Sequence, residues 1–476
     1  MNKTVVQTNR QNVIIGLLMA IVLAAIEVTI VSTAMPTIVK ELGDFHLMSW
    51  VFAIYLLTNA ISTPIYGKLA DLFGRKKIFI IGIILFLMGS SLCGIAQTMG
   101  QLIFFRAIQG IGAGAVFPVS LTIIGDIFEI EERAKMQGFI SMVWFIAGVT
   151  GPLAGGLIVE WLSWRWIFYI NIPFGIFSIF LISLFLHEQF EKKKHHIDYW
   201  GALTFTVGMT SLLYTFILGG ENTSWVSPVN IGLFINAFLF LSIFLIIEMK
   251  SSEPMLPLNL FKIPVVVIPN LATFFLCIAL IGLNVYQPMW VQEVLGYKAT
   301  GSGIALIPMS VGWTLGAFFC GKLLIKLGIR NTTSMGAGFV FGGCSLLATM
   351  SFTTSAWFLF FSMLLIGLGF GLSLTSFGIV IQSSVEWNLR GSATALFTFI
   401  QSFGQTVGIT LLGILLNFTI NNNTSDNLNR NLIASGLHNI FIALSIITVL
   451  GLFITLWIPK HELTPDSEHN NQKNFT

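Results

Sequence analysis

The stretch GVTGPLAGG, residues 148–156, lies inside an apolar segment of membrane-spanning length and constrains how that segment packs. Each glycine weakens a helix, and the proline removes one backbone hydrogen bond. Small residues at this spacing let the backbone of a neighbouring helix approach without side chains in between. The stretch therefore predicts a tight helix–helix contact inside a membrane, made by Gly148, Gly151, Pro152, Gly155 and Gly156.

The composition of the whole chain points the same way. Of 476 residues, 55% are hydrophobic and only 9% are charged, and the mean hydropathy is +0.85. Soluble proteins carry roughly 25% charged residues, so this chain is too apolar to cover a soluble surface. Helices of about 20 apolar residues are needed to cross a bilayer, and such stretches recur along the chain. The sequence predicts an all-α polytopic membrane protein with fourteen spans, near 13–33, 48–67, 78–97, 102–125, 137–159, 166–186, 199–218, 230–249, 265–288, 301–321, 332–351, 355–384, 393–417 and 437–458.

The positive charges set the expected orientation, because cytoplasmic loops are rich in Lys and Arg. An even number of spans puts both termini on one side. With cytoplasmic termini, most of the 24 Lys and Arg residues fall in inner loops and tails. The outer loops then contain only Lys40, Arg165, Lys298 and Arg430.

Two parts of the chain resemble each other, which indicates an internal duplication. GKLADLFGRKK at 67–77 has a weaker counterpart in GKLLIKLGIRN at 321–331, and the alternating glycines at 110–114 recur at 367–371. The copies lie about 255 residues apart, and equal offsets are typical of parallel repeats in transporters.

The loop at 67–77 carries the first family resemblance. Its glycines permit a tight turn, Asp71 is expected at a helix N-terminus, and Arg75 is expected to pair with Asp126. The pattern closely resembles the signature loop of the major facilitator superfamily, where it is a conformational latch. The resemblance implies that role for Gly67, Asp71, Gly74, Arg75, Asp126 and Arg133.

That family is built from two six-helix halves, which by themselves would place the repeat nearer 200 residues apart. The larger offset predicts two extra helices between the halves. The expected organisation is a six-helix half at 1–198, two inserted helices at 199–250, and a second six-helix half with a cytoplasmic tail at 251–476.

Glu27 lies among apolar residues in LAAIEVTIVSTAMP at 23–36. An unpaired charge there costs several kcal/mol, so the group is suited to be neutral when protonated and to attract a cation when not. A structural hydrogen bond to a neighbouring helix is the alternative. The stretch resembles the first-helix motif of fourteen-span drug exporters, which usually carries Asp. The resemblance implies that Glu27 couples transport to H⁺, or to Na⁺ if the longer side chain admits it.

Arg106 begins RAIQGIGAGAVFP, which resembles the fourth-helix motif of the same family. A buried Arg stays protonated and needs a partner, and Glu27 is the expected one. Snorkelling of Arg106 to the membrane boundary is the alternative.

Two further stretches imply the direction of transport and the subfamily. The run at 148–156 resembles the antiporter motif of major facilitator exporters, and WRWIFYINIPFG at 164–175 resembles a string common in fourteen-span drug exporters. Glu160 and Glu293, at outer span ends, are expected to be solvated. A mixed polar and aromatic substrate cavity is expected from Tyr55, Asn59, Gln109, Trp144, Phe145, Asn284 and Gln287, although each also suits ordinary packing.

The sequence therefore resembles those of multidrug exporters. The resemblance implies export of amphipathic, cationic compounds in exchange for H⁺ or Na⁺. No catalytic residues, metal site, cofactor or nucleic-acid partner is expected. The expected setting is a bacterial plasma membrane, with the protein a monomer. Alternatives are an exporter of a metabolite, a metal–tetracycline complex or Na⁺, an ion-coupled nutrient importer, and a membrane sensor that transports nothing.

Overall fold

The computed structural model describes residues 8–128, 130–188, 199–220, 227–251, 258–385, 389–421 and 430–459, and their regular structure is helical. Helices are what an apolar chain forms in lipid, because each backbone hydrogen bond is then made within the segment. In chain order the α-helices are α1 Arg10–Leu42, α2 Met48–Phe73, α3 Arg75–Gly94, α4 Met99–Ile127, α5 Ile130–Trp161, α6 Trp166–Tyr169, α7 Asn171–Phe185, α8 Tyr199–Gly220, α9 Pro228–Lys250, α10 Pro264–Met289, α11 Ala299–Leu347, α12 Ala356–Ser383, α13 Arg390–Asn421 and α14 Arg430–Thr455.

Twelve helical segments within the described ranges are long and apolar enough to cross a membrane, so the protein is a multi-pass membrane protein. We call the side with the α2–α3 turn at Gly74 the inner side, and the side with the α1–α2 turn at Gly43 the outer side. A π-helical turn, Trp290–Val294, continues α10 at its outer end.

Helix α11, a run of 49 residues, covers both of the stretches that the sequence predicts as spans, 301–321 and 332–351. That run is interrupted at Gly328, whose φ of 77° and ψ of 169° are not helical. Gly74, between α2 and α3, has a similar backbone with φ 94° and ψ 138°. Because only glycine adopts such angles without strain, both positions mark a reversal made without a loop.

The alternating glycines place α4 and α12 in equivalent surroundings. A Cβ atom added at Gly110 or Gly114 would meet α2, and one added at Gly112 would meet α3. In the second part of the chain, Gly367 and Gly371 approach the first stretch of α11, before Gly328. Gly369 approaches the stretch of α11 after Gly328. The two parts therefore pack in the same way, and we call α1–α7 the amino-terminal bundle and α10–α14 the carboxy-terminal bundle.

The pair α8–α9 packs on both bundles. Phe205 of α8 lies 5.2 Å from Phe244 of α9 and 5.4 Å from Phe399 of α13, measured between ring centroids. The same cluster includes Leu57 of α2. The pair thus covers the place where α2 of one bundle meets α13 of the other.

The glycine run at 148–156 places α5 between α1 and α11. Gly151 and Gly155 lie against Thr29 and Thr33 of α1. Gly156 lies against α11, where an added Cβ would be 2.6 Å from the Cα atom of Thr300. The tight contact expected from this stretch is present, and it joins α5 to helices of both bundles.

Candidate functional site

The centre of the amino-terminal bundle holds a buried ion pair. Nη1 of Arg106, on α4, donates to Oε1 of Glu27, on α1. Both side chains are 0% exposed. Arg106 therefore does not reach the membrane boundary, and it has the partner that the sequence predicts.

Further polar groups surround the pair. Nδ2 of Asn171 donates to the other oxygen of Glu27 at 3.0 Å. Arg106 donates to Oε1 of Gln109 at 2.9 Å and, through Nε, to the carbonyl of Val51 at 3.2 Å. Its guanidinium carbon lies 4.1 Å from the ring centroid of Tyr55, within the range of a cation–π attraction. A buried ion pair needs such additional bonds because the attraction between its charges alone barely offsets their desolvation.

Asn171 also ties the pair to a second layer. The same amide donates to Oγ of Ser90, on α3, at 2.9 Å, and Ser90 donates to the carbonyl of Phe168 at 2.8 Å. Asn171 is the first residue of α7, directly after the short helix α6 and Ile170. The resemblance of 164–175 to a string of fourteen-span drug exporters does not single out Asn171 as a site residue. The signal that could have identified Asn171 is an amide within the apolar string IFYINIPFG.

Two donors of the cluster remain without a hydrogen-bond partner within the described structure, namely Nη2 of Arg106 and Nε2 of Gln109. The arrangement therefore combines a fixed cation, a carboxylate able to take up and release a proton, and unused donors beside them. A buried acid inside a membrane segment is, by default, a candidate functional group.

The expected substrate residues fall into three groups. Tyr55 and Gln109 belong to the buried cluster, and the side chain of Asn59 is hydrogen-bonded within α2 to Thr63. Asn284 and Gln287, on α10, are buried, and Gln287 has no hydrogen-bond partner among the described residues for either amide atom. Trp144 and Phe145 of α5 are 50% and 37% exposed. The structure therefore does not bring all seven residues onto one surface.

At the inner side Arg75 forms the ion pair with Asp126 that the sequence predicts. The N-terminus of α3 is capped by Glu188, which accepts from the backbone nitrogens of Arg75 and Lys76 at 2.8 and 3.1 Å. The expectation that Asp71 lies at a helix N-terminus is wrong, because the residue lies in the last turn of α2. Both Asp71 and Arg133 lie in helices, but their side chains fall outside the described part of the structure.

At the outer side several polar contacts join the bundles. Lys40, at the end of α1, pairs with Glu293 of the π-helical turn at 2.6 Å. Nε2 of Gln292 donates to the carbonyl of Thr33 at 2.9 Å. Oε1 of Glu160 accepts from the backbone nitrogen of Thr300 at 2.7 Å. The expectation that Glu293 is solvated is wrong, because its side chain is only 18% exposed. These contacts hold α1 and α5 of the amino-terminal bundle against the carboxy-terminal bundle at the outer side.

The chain is similar to known transporters over nearly its whole length. The profile described as Major Facilitator Superfamily matches residues 17–409. Multidrug resistance protein 3 of Bacillus subtilis (strain 168) is 39% identical over 89% of this chain and 83% of its own length. Multidrug efflux pump SdrM of Staphylococcus aureus (strain N315) is 29% identical over 94% of this chain and 96% of its own.

Solved structures support the fold. The D-xylose-proton symporter superposes with a TM-score of 0.67 at 16% identity, over 95% of this chain and 98% of its own. A bacterial homolog of the human lysosomal transporter Spinster superposes with a TM-score of 0.65 at 17% identity, over 94% and 96%. The matched profile, the bundles and the relatives together show that this chain belongs to the Major Facilitator Superfamily, whose members are transporters rather than enzymes.

Proposed function

We propose that the protein is a multidrug exporter that expels amphipathic cations in exchange for H⁺, with Glu27 as the coupling carboxylate. The observation that carries the proposal is the fully buried pair of Glu27 and Arg106 in a chain 39% identical to a multidrug resistance protein. A charge pair in that position has a high desolvation cost, so a chain that only needed to fold would do better with apolar residues there.

We further propose fourteen membrane crossings, with both termini in the bacterial cytoplasm. A helix of 49 residues is about 74 Å long, whereas the hydrocarbon core is about 30 Å thick. The break at Gly328 divides α11 into two pieces, each able to span. Helix α8, with 22 mostly apolar residues, is long enough to add another crossing. Its packing against α9 supports an inserted hairpin between two six-helix halves.

The proposed cycle begins with the two bundles joined at the outer side by Lys40–Glu293 and the neighbouring contacts. A drug enters the space between the bundles from the inner side, where the exposed rings of Trp144 and Phe145 suit an aromatic or cationic compound. After the bundles rock, the drug leaves outward and Glu27 takes up a proton. The protonated bundle returns and releases that proton inward. The membrane potential contributes about 2.3 kcal/mol per charge per 100 mV.

In this scheme the drug occupies the space between the bundles, whereas the proton acts on Glu27, which is buried inside the amino-terminal bundle. Protonation removes the charge that holds Arg106 in place. Arg106 can then turn toward other acceptors, and the packing of α1 on α4 changes. Coupling in this scheme needs no direct contact between the drug and Glu27.

The test is efflux of ethidium from proteoliposomes driven by an imposed pH gradient or, separately, an imposed Na⁺ gradient. Wild type, Glu27→Gln and Glu27→Asp are compared, with Glu41→Gln as the matched control on the same helix. We expect gradient-driven efflux to be lost in Glu27→Gln and retained in Glu27→Asp and Glu41→Gln. The gradient that works identifies the ion, and each variant must elute as a single species from a sizing column.

Undiminished transport by Glu27→Gln would move the coupling site elsewhere. Efflux of a metabolite, a metal–tetracycline complex or Na⁺, without ethidium efflux, would favour an exporter of another cargo. Accumulation of a labelled solute in cells would favour a nutrient importer.

A further inference from the structure

A cavity of about 410 Å³ lies in the carboxy-terminal bundle, between the two pieces of α11 and the middle of α12. Its walls are apolar, with Phe319, Leu323, Phe339 and Leu368 among them. Lys322 and Lys326 are also in the lining, and none of the described residues that line the cavity is Asp or Glu. The cavity is therefore an apolar groove that carries the positive charges of Lys322 and Lys326 at one end.

The groove opens away from the other bundle. Ser310 of α11 donates to the carbonyl of Gly148 and so marks the face of α11 that meets α5. Successive residues of an α-helix are about 100° apart, which puts Lys326 about 160° around the helix from Ser310. The neighbouring Ile325 is 84% exposed and Phe318 is 68% exposed. Large apolar residues so exposed on a membrane-spanning helix face lipid, so the groove opens to the bilayer.

The two lysines lie at the inner membrane boundary. Lys326 is two residues before the break at Gly328, and Lys322 is one helical turn further into the membrane. Nζ of Lys322 lies 5.8 Å from the ring centroid of Phe318. Both side chains are exposed, and neither pairs with an acidic group in the described part of the chain. Lysines near a membrane boundary usually place the methylene groups of the side chain along apolar surface and the ammonium group in the interface.

The counterpart of this stretch in the amino-terminal bundle is different. Aligning GKLADLFGRKK with GKLLIKLGIRN places Ile325 at the position of Asp71 and Ile329 at that of Arg75. The acid and the arginine of the latch are thus both replaced by isoleucine. The carboxy-terminal copy keeps the glycines and the turn, and carries Lys326 where the first copy has Leu72.

We propose that this groove is a binding site for an acidic phospholipid of the inner leaflet. The phosphate of the headgroup lies between the ammonium groups of Lys322 and Lys326, and the acyl chains lie along Phe319, Phe339 and Leu368. Two cations without an acidic partner among the described residues, above an apolar groove, complement a ligand with an anionic head and a hydrocarbon tail. Basic pockets between membrane helices bind such headgroups. The bound lipid then fixes the two pieces of α11 against α12.

The experiment measures lipid retained by the purified full-length protein in native mass spectrometry. The probes are phosphatidylglycerol and phosphatidylcholine with identical acyl chains, and glycerol phosphate as a headgroup without chains. The variants are Lys322→Gln/Lys326→Gln, which removes the charges, and Leu368→Trp, which fills the groove. Lys250→Gln/Lys262→Gln is the matched control, because it removes two exposed lysines of the inner side that are distant from the groove in sequence.

We expect wild type to retain phosphatidylglycerol over phosphatidylcholine and to bind no glycerol phosphate. The charge variant should bind phosphatidylglycerol about thirtyfold more weakly, which corresponds to about 1 kcal/mol for each lysine near the membrane surface. Leu368→Trp should also lose the lipid, and the control should bind like wild type.

Four results would overturn the proposal. Equal losses in the charge variant and the control would mean that the inner side attracts acidic lipid only by its overall charge. Binding of glycerol phosphate as tight as that of the lipid would make this a site for a soluble anion. Displacement of the retained lipid by ethidium would make the groove a drug site. Charge and groove variants that both keep full lipid binding would leave no role for the groove.

Discussion

Glu27 and Arg106 form an ion pair at a place where both side chains are 0% exposed. Removing one partner of such a pair costs about 3–5 kcal/mol, because the other charge is left buried and unpaired. The geometry around the pair is therefore as important as the pair itself. Asn171 is central to it, since one amide group holds both Glu27 and Ser90.

Asn171→Ala should lower the unfolding free energy by about 2–3 kcal/mol, because it removes a bond to a charged group inside the bundle. Asn236→Ala is the matched control. Asn236 donates to the neutral Oγ of Ser211 at 2.8 Å, so its loss should cost about 1 kcal/mol. Thermal unfolding of both variants in detergent measures the difference. Equal shifts in melting temperature would show that Asn171 has no special relation to the carboxylate.

At the scale of the helix, glycines on two faces of α5 allow close packing on its neighbours. Gly151 and Gly155 face α1, and Gly156 faces α11. An added Cβ at Gly156 would be 2.6 Å from Thr300 of the other bundle, whereas one at Gly338 would meet nothing within 4 Å. The first substitution forces α5 and α11 apart. The second fills open space and improves helix propensity.

Gly156→Ala should therefore reduce ethidium efflux at least tenfold, since the bundles no longer fit together at the outer side. Gly338→Ala should transport like wild type and melt at the same or a slightly higher temperature, because Ala is favoured over Gly in a helix by up to about 1 kcal/mol. Efflux from proteoliposomes and melting temperatures check both. Normal efflux by Gly156→Ala would remove this contact from the transport cycle.

Much at this scale could be predicted from the sequence. The helices, the pairing of Glu27 with Arg106, and the tight packing of 148–156 each follow from a strong local cause: apolar length, a buried charge, or a run of small residues. The sequence predicts a break between 301–321 and 332–351, but not that the helices continue up to Gly328 itself, because the charges of Lys322, Lys326 and Arg330 also suit a loop. Glu293 was misjudged because its position at a span end gives no sign of Lys40 on a distant helix. Asn171 was passed over because a single amide in an apolar string more often satisfies ordinary packing.

At the scale of the whole molecule, the Lys40–Glu293 pair and the Gly156–Thr300 contact hold the two bundles together at the outer side. The side chain of Lys40 is 67% exposed, and exposed ion pairs contribute about 0.2–1 kcal/mol to stability. The pair of Lys40 with Glu293 therefore stabilises the contact between the bundles only weakly. The contact of Gly156 with Thr300 on the same side contributes close packing of α5 on α11 and no charge. Together they hold two bundles that separate at this side in the proposed transport cycle.

Lys40→Glu places two acids together and should raise the population open to the outside by roughly two- to fivefold. The double variant Lys40→Glu/Glu293→Lys restores the opposite charges and should return it to the wild-type level. The measurement is the labelling rate of Ala299→Cys, a buried position at the start of α11, by a thiol reagent that does not cross the membrane. Faster labelling in the double variant than in Lys40→Glu would contradict the ion-pair account.

The break at Gly328 also bears on how the protein is made. The two apolar pieces of α11 are separated by one non-helical residue, so no loop exists to let the first piece settle in the membrane before the second emerges from the ribosome. Lys322, Lys326 and Arg330 flank the break and resist translocation. We expect the two pieces to be inserted as one helical hairpin, so that during synthesis either both enter the membrane or neither does.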